Sequence, residues 1–233
     1  HGAVLRGSLA TAVCLLAVAI APAAPGDLDP TFGSNGVVVS FFGTNAVPSS
    51  VAVDRDGKIL VGGFLETEES GGFDSAPAAV VRYNADGTLD PSFGNGGLAN
   101  TREFTPAGLG RGSGGPYNTG LRVEFNGWVV LGTVCQQLPG GGANVGAVFR
   151  LKTDGNPDPS FDADGYVVQP LGHGPERFGG VVRSESDILM LAMSNGMAVT
   201  RFQGDGALAT NFGNGGVAMA LPWGTNSLPT ACL

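Results

Sequence analysis

The sequence predicts an all-β protein, built as a propeller-like array of four-stranded antiparallel blades. Three observations support this prediction. A short motif around a phenylalanine recurs four times within the 233 residues. Stretches rich in Val, Ile and Phe alternate with clusters of Gly, Asn and Asp, a pattern typical of short strands joined by turns. No amphipathic helix pattern stands out after residue 24. Four-stranded units at a regular spacing indicate a β-propeller.

The recurring motif has the form Asp-Pro-Ser/Thr-Phe-Gly. Its phenylalanines, spaced 61, 68 and 51 residues apart, are Phe32, Phe93, Phe161 and Phe212. We expect the Asp to cap a short turn, the Pro to stand where no N–H is needed, and the Gly to leave in a left-handed conformation. The turn presents its phenylalanine to an apolar neighbour. We therefore predict that all four are structural residues between adjacent blades.

Each unit contains four predicted strands. In the first two units they are 37–42, 50–54, 58–64 and 78–84, then 98–104, 121–125, 128–134 and 147–152. In the third unit they are 166–170, 180–184, 188–193 and 197–203. Asp56-Gly57 and Asn126-Gly127 predict hairpins with type I′ turns, in which both central residues have positive φ.

Three complete repeats and a partial fourth follow from this spacing. The predicted blades span roughly residues 34–93, 96–161, 165–212 and, in part, 215–233. The partial fourth is supported by Gly224–Thr230, which repeats Gly43–Ser49 at an offset of 181 residues. Closed propellers have about four to eight blades. Three explanations stay open: the array is a fragment, which we favour; it closes with further blades or another copy; or residues 1–26 fill the gap.

Two stretches resemble a known repeat family. They are Asp56–Gly63, with the sequence DGKILVGG, and Val81–Gly94, with the sequence VRYNADGTLDPSFG. These repeats resemble the delta-60 repeat family, found in tandem arrays in exported and surface-attached bacterial proteins. The resemblance implies a propeller-like fold and no assured chemistry. The sequence departs from the family pattern at Ser186–Leu191 and at Ala209, which replaces the motif aspartate.

Residues 1–23 have the pattern of a signal peptide. Arg6 is the only charged side chain before Asp27, an apolar run extends from Leu9 to Ile20, and Ala21-Pro22-Ala23 fits a cleavage site. The run is shorter than the roughly 20 residues that a membrane-spanning helix needs. We expect cleavage to leave residues 24–233 as a secreted, periplasmic or cell-surface domain with no membrane insertion. A buried segment or an uncleaved anchor is the alternative.

Composition excludes several classes of partner and site. The formal net charge is −8, with 12 basic residues, so we expect no nucleic-acid partner. Cys14, Cys135 and Cys232 are too far apart in sequence for a metal-binding motif, although pairing of the last two stays open. Basic residues occupy the ligand positions of calcium-like loops, as Lys152 does. We therefore predict no metal and no cofactor.

Candidate catalytic residues are few. The first strand of each predicted blade should line the axis, where Asn100, Glu103 and Gln169 are the polar candidates. They form no convergent cluster of the kind expected of an active site. Arg82, Arg150 and Arg201 recur at one register, either as a basic ladder for an anionic partner or, as we favour, as charges that discourage edge pairing.

These considerations favour a non-catalytic, exported structural or interaction module that binds a protein or glycan through its blade loops. Loops of propellers often mediate recognition, and the longest lies at residues 105–120. Its candidate binding residues are Arg111, Tyr117 and Asn118. Two alternatives stay open: a propeller enzyme of the hydrolase or lactonase type with a site on the axis, and a fragment of a larger surface protein whose activity lies elsewhere.

Overall fold

The structure is a computed structural model that describes residues 24–42, 45–66, 77–101, 109–111, 119–137, 144–170, 177–184, 186–193 and 196–220. Within these ranges the chain forms thirteen strands in three antiparallel sheets. This confirms the predicted all-β, propeller-like fold class. The described part of the chain contains no helix of the length and apolarity needed to cross a bilayer.

The three sheets follow one another along the chain. The first has the order β1 (Asn45–Val53), β2 (Ile59–Glu66), β3 (Ala78–Tyr83), β4 (Leu98–Asn100). The second contains β5 (Leu109–Arg111), β6 (Thr119–Val123), β7 (Val129–Gln137), β8 (Asn144–Leu151) and β9 (Tyr166–Pro170), with β5 and β6 both paired to β7. The third has the order β10 (Arg177–Ser184), β11 (Asp187–Met193), β12 (Met197–Phe202), β13 (Val217–Ala220).

The strand that follows each phenylalanine turn belongs to the preceding sheet. β4 pairs with β3, β9 with β8 and β13 with β12. The prediction that these stretches open the next blade and line the axis is therefore wrong, including for Asn100 and Gln169; Glu103 lies outside the described residues. The reason is local: Asp90 N donates to Arg82 O and Arg82 N donates to Gly97 O, so the turn returns the chain antiparallel along β3.

The innermost strands are β1, β6 and β10, which contact one another in succession. In the described residues the packing runs from the first sheet to the second and from the second to the third, so the array is open. Residues 215–220, predicted to begin a fourth blade, complete the third sheet instead. Residues 37–42 form no strand, and only Val37 makes isolated bridges, with Gly33 and Ser34.

The hairpin turns between the first two strands of the first and second sheets differ from the predicted type. Gly57 N donates to Asp54 O, and Gly57 has φ of 77°. Asp56 and Asn126 are not among the described residues with positive φ. The type I′ prediction is therefore wrong. Each hairpin has a β-turn followed by a left-handed glycine, the usual form of a three-residue hairpin loop.

Each sheet has a forward face toward the following sheet and a rear face toward the preceding one. Leu60 and Phe64 on the forward face of the first sheet share a buried cluster with Leu131 and Phe149 on the rear face of the second. A second buried cluster joins the forward face of the second sheet to the rear face of the third. Apolar burial of this kind supplies the main force holding the sheets together.

The antiparallel order gives the array two different ends. The Asp-Gly hairpins and the phenylalanine turns lie at one end, which we call the turn end. β2 and β4 end, and β3 and β6 begin, at the opposite end, which we call the connection end. Ser49, in the middle of β1, and Thr119, the first residue of β6, are hydrogen-bonded to each other. Gly94 N of one turn donates to Asp154 O of the next, so neighbouring sheets have the same orientation.

Candidate functional site

An arginine, an aspartate and a phenylalanine form a compact group where the first sheet meets the second. Arg82 Nε donates to Asp90 Oδ2 at 2.7 Å, and Arg82 Nη2 donates to Ser92 Oγ at 3.1 Å. The guanidinium lies 4.5 Å from the centre of the Phe93 ring. Arg82 Nη1 reaches across to the next sheet and donates to Thr153 O at 2.6 Å. Arg82 is buried, so these contacts are shielded from solvent.

The same group recurs between the second and third sheets. Arg150 Nε donates to Asp158 Oδ2 at 2.6 Å and Arg150 Nη2 donates to Ser160 Oγ at 2.9 Å. The guanidinium lies 4.7 Å from the centre of the Phe161 ring, and Nη1 donates to Gly204 O of the third sheet. We call these two groups the junction clusters. Such charged hydrogen bonds offset the desolvation of a buried ion pair.

A backbone hydrogen bond accompanies each contact between a phenylalanine turn and the next sheet. Gly94 N donates to Asp154 O at 2.8 Å, and Asp162 N donates to Asp205 O at 2.7 Å. Gly155, which follows Asp154, has φ of 81°, and a Cβ there would lie 2.6 Å from Gly94 N. The glycine of the Asp-Gly pair is therefore needed both for the turn and for the close approach of the two backbones.

The junction aspartates are held in their charged form. Burial alone would raise the pKa of Asp90, but hydrogen bonds from Lys58 and Ser92 and the charge of Arg82 lower it well below its usual range. Burial would likewise raise the pKa of Asp158, and hydrogen bonds from Ser160 and Arg150 lower it. Each carboxylate therefore acts as a permanent anion at neutral pH, which suits a structural ion pair.

The third sheet has a rearranged version of the group. Ala209 stands in place of the motif aspartate, and Arg201 Nε donates instead to Asp187 Oδ2 at 2.6 Å. Asp187 begins β11, at the position that Lys58 and Trp128 occupy just before β2 and β7. Arg201 lies 5.9 Å from the centre of the Phe212 ring and is only half-buried.

These arginines fit neither of the two roles considered from the sequence. Arg82 and Arg150 are buried, so they cannot form an exposed basic ladder. For the same reason they are not surface charges that discourage an edge strand from pairing with another chain. Sequence reasoning missed their pairing. The signal was present in the spacing, because each of these arginines precedes its aspartate by eight residues across a turn that returns the chain.

A polar cleft opens at the turn end between the first and second sheets. It has a volume of about 360 Å³ and its lining includes Asp54, Lys58, Asn126 and Asp154. Asp54 Oδ1 accepts hydrogen bonds from the backbone N–H groups of Asp56 and Lys58. Lys58 Nζ donates to Asp90 Oδ2 at 2.6 Å. The lining charges are thus engaged in turns and in the junction cluster, which favours a structural role.

Polar contacts also connect the inner strands. The Thr119 hydroxyl lies 2.8 Å from Ser49 Oγ and 2.9 Å from Ser50 Oγ, which links β6 to β1. Buried Glu124 pairs with Arg183 of the third sheet at 2.5 Å. No group of three or more His, Cys, Asp or Glu side chains arranged for a metal ion occurs in the described ranges.

The predicted structural phenylalanines lie in two kinds of environment. Phe93 and Phe161 are completely buried, in the first and second core clusters respectively, whereas Phe32 and Phe212 are half-buried. Phe32 lies beside Gly87 of the first sheet, and the turn that contains it donates a hydrogen bond from Gly33 N to Asp86 O at 2.8 Å.

The predicted binding residues lie mostly outside the described residues. Arg111 ends β5, for which only the backbone is described, and Tyr117 and Asn118 fall in a part of the chain that is not described. Cys135 is a buried free thiol, and burial raises its pKa to about 12, so it is a weak nucleophile. Cys14 and Cys232 are outside the described residues.

Comparison with known proteins supports a propeller-type repeat family. A family model described as a domain of unknown function (DUF5122) β-propeller matches residues 55–93 and 126–161. Both matched segments run from an Asp-Gly or Asn-Gly hairpin to the phenylalanine of the following turn, and so contain one junction cluster each. No curated protein and no solved structure matches the chain significantly.

Proposed function

We propose that this chain is a non-catalytic module of the delta-60 repeat type that works outside the cytoplasm and binds glycans through its connection end. The observation that supports the proposal most directly is that the charged side chains buried between the blades are paired with one another. These buried ionic groups, such as Arg82 with Asp90, hold neighbouring sheets together, and the perturbed carboxylates stay charged rather than titrating near neutral pH.

The connection end is the better place for a binding surface. In the first sheet β2 ends at Glu66, β3 begins at Ala78 and β4 ends at Asn100 on this side, and in the second sheet β6 begins at Thr119 and β7 ends at Gln137. In this region residues 101–118 join β4 to β6, and they include the short strand β5. This strand pairs with β7, which anchors the connection on the second sheet.

The residue types in this connection suit a sugar ligand. An aromatic ring such as that of Tyr117 can pack on the apolar face of a sugar, and Arg111 and Asn118 offer planar groups that bond hydroxyls in pairs. The net charge of −8 disfavours strongly anionic partners. We therefore place neutral oligosaccharides ahead of nucleic acids and anionic membranes.

A binding assay on the full chain tests this proposal. An array of neutral and acidic oligosaccharides and insoluble peptidoglycan serve as probes, with Tyr117→Ala and a variant in which a Gly-Ser linker replaces residues 106–117. We expect binding to a neutral glycan, reduced about tenfold or more by Tyr117→Ala, since stacked aromatic contacts contribute strongly to recognition. Arg55→Ala, exposed at the turn end, is the matched control and should bind normally.

Two outcomes would contradict the proposal. One is the absence of binding to every glycan probe by correctly folded protein. The other is binding that Tyr117→Ala and the linker variant leave unchanged while Arg55→Ala reduces it. Export is tested separately by sequencing the amino terminus of secreted material: an Ala24 start is expected, and a start within residues 1–23 would rule out the predicted cleavage.

A further inference from the structure

The segment from Asp29 to Phe42 has the sequence and the packing of a phenylalanine turn followed by an outer strand. Its turn contacts the first sheet as the later turns contact the second and third. Gly33 N donates to Asp86 O at 2.8 Å, and the equivalent Gly94 N donates to Asp154 O at 2.8 Å. The segment therefore occupies the outer-strand position of a sheet that would precede the first.

In each of the three observed sheets, an arginine ties the outer strand to the third strand of its own sheet. The backbone N–H of this arginine donates to a glycine carbonyl, as Arg82 does to Gly97 at 2.8 Å. The arginine carbonyl accepts from the first residue of the turn, as Arg82 does from Asp90 at 3.0 Å. The equivalent distances in the other sheets are 2.8 and 2.9 Å for Arg150, and 3.0 and 2.9 Å for Arg201.

The corresponding groups of the first segment are unpaired within the described part of the chain. Gly36 O and Asp29 N stand at the equivalent positions, and neither makes a hydrogen bond to another described residue. The same is true of the backbone groups of residues 38–42. Unpaired backbone of this kind is a template for the addition of a strand.

Among the described residues, the Asp29 carboxylate lacks the arginine partner that the equivalent aspartates have in the first and second sheets. Asp29 Oδ1 accepts hydrogen bonds from Thr31 N at 2.9 Å and Thr31 Oγ1 at 2.6 Å, as Asp90 Oδ1 does from Ser92. Asp90 also binds Arg82 through Oδ2, whereas Asp29 makes no ion pair with a described residue. Its hydrogen bonds to Thr31 lower the pKa of Asp29, so it is charged at neutral pH.

An apolar surface lies beside these unpaired groups, and together they form what we call the slot. A cavity of about 290 Å³ lies between residues 38–42 and the rear face of the first sheet, lined by Val61, Leu65 and Val81 among others. Further along that face, Val51 and Val53 are 68% and 63% exposed. The equivalent residues of the second sheet, Leu121 and Val123, pack against the buried core.

We propose that this slot accepts an extended strand that a partner protein supplies, with the sequence pattern Ala-Val-x-Arg. The pattern is that of the third strand in every observed sheet, at Ala79–Arg82, Ala147–Arg150 and Ala198–Arg201. The valine of the added strand packs on the rear face of the first sheet, as Val80 and Val148 pack toward the sheets that follow theirs. Its arginine bonds Gly36 O and Asp29 N through the backbone and pairs with the Asp29 carboxylate. This surface is separate from the proposed glycan-binding connection.

Peptide binding to the full chain tests the slot. The probe is a fluorescent peptide with the sequence of Asn144–Lys152, NVGAVFRLK, measured by anisotropy. We expect saturable binding. Replacing the peptide arginine by glutamine, or Asp29→Asn in the protein, should each weaken binding about tenfold, and the two changes together should weaken it little further, because they remove one shared charged hydrogen bond.

Controls separate this slot from general stickiness. Asp27→Asn, which removes a nearby exposed carboxylate, should bind as the unchanged chain does. A peptide with aspartate in place of the second valine should not bind, because the rear face is apolar. Absence of binding, or binding insensitive to Asp29→Asn, would overturn the proposal.

The chain itself contains a competing sequence. Ala3–Arg6 reads Ala-Val-Leu-Arg and matches the same pattern. Binding of the peptide only to the Arg6→Glu variant would show that the amino-terminal segment fills the slot, and would overturn the proposal of a partner strand. Concentration-dependent dimers that the peptide does not dissociate would overturn the proposal in favour of a second copy.

Discussion

The junction between the second and third sheets and the forward face of the third sheet are built from equivalent residues, yet only one of them is closed by a neighbouring described sheet. At the junction, Arg150 is buried against Asp158 and Phe161. On the third sheet, Arg201 is half-buried and takes its carboxylate from Asp187 rather than from the turn. The arginine thus has a carboxylate partner in both places. The turn supplies that carboxylate at the junction, and the start of β11 supplies it on the third sheet.

A second difference concerns how closely a neighbouring sheet can approach the forward face. Gly62 and Gly132 stand at one position on the forward faces that are covered, and Leu191 occupies the equivalent position on the third sheet. A Cβ at Gly132 would lie 2.9 Å from ring carbons of Phe178. The third sheet therefore cannot accept a neighbour of the same shape in the same way. The following predictions compare a closed junction with this altered face or test the junction by itself.

The largest expected effect is loss of a buried phenylalanine. Phe161→Ala should lower the free energy of unfolding by about 3–5 kcal/mol, because it leaves a cavity between two sheets. Phe212→Ala, at the half-buried equivalent, should cost less than half as much. Chemical denaturation followed by fluorescence measures both, with exposed Phe125→Ala as the control. Equal decreases in the free energy of unfolding for the two variants would show that Phe161 and Phe212 contribute equally to stability, against this prediction.

Breaking the buried ion pair should be nearly as costly. Arg150→Met leaves the Asp158 carboxylate buried without its partner, which costs about 3 kcal/mol. Arg201→Met removes a partly exposed pair and should cost under about 1 kcal/mol. Adding Asp158→Ala to Arg150→Met should restore part of the stability, since the unpaired anion is removed. A double variant no more stable than Arg150→Met would contradict this account.

Closing the glycine gap tests the spacing of the sheets. Gly132→Leu should destabilise the fold by about 1–3 kcal/mol, as overpacking does, because Phe178 must move. Leu191→Gly should not loosen contacts between described sheets, and any loss there reflects strand propensity alone. The comparison uses thermal unfolding of both variants. A neutral Gly132→Leu would mean that the junction is looser than the Cβ distance indicates.

Acid should weaken the junctions in a defined direction. The pKa of Asp158 is lowered in the folded protein, so the stability that it provides is present above its unfolded pKa of about 4. This stability is lost as the pH falls from that value toward the folded pKa. We expect the free energy of unfolding to decline below about pH 4. Asp158→Asn should flatten that decline, whereas Val53→Ala should keep its slope.

The smallest effect concerns the relocated carboxylate. Asp187→Asn removes the partner of Arg201 and should cost about 0.2–1 kcal/mol, as for other partly exposed pairs. Ala209→Asp restores the aspartate of the motif and should compensate for that loss. The double variant should then be at least as stable as Asp187→Asn alone by urea denaturation. Failure of compensation would show that the turn of the third sheet has a different geometry.

Most of the strands could be predicted because their patterns are local. The stretches 58–64, 78–84 and 188–193 correspond closely to β2, β3 and β11, since apolar residues bounded by Gly and Asp mark strands regardless of their partners. The left-handed exit of the turn was also predicted, and Gly94 has φ of 54°. Only the strand after each phenylalanine turn was assigned to the wrong sheet, because its place depends on Arg82 bonding both Asp90 and Gly97 across the turn.

The junction clusters required knowledge of burial. An arginine, an aspartate and a phenylalanine are unremarkable in a list of residues, and an exposed arginine is the common expectation for a strand edge. Only the return of the chain places Arg82 over Phe93 and within reach of Thr153. The spacing of eight residues from arginine to aspartate would have sufficed once the turn was known to reverse the chain.

The hydrogen bonds between turns and the following sheet all run the same way along the chain, from Gly33 to Asp86, from Gly94 to Asp154 and from Asp162 to Asp205. One whole unit presents the same donor to its successor and the same acceptor to its predecessor. A gene segment encoding such a unit can be duplicated or excised by recombination, and the flanking blades meet a compatible surface in either case. The length of the array is therefore free to evolve in steps of one blade, and only the two terminal units need a different sequence.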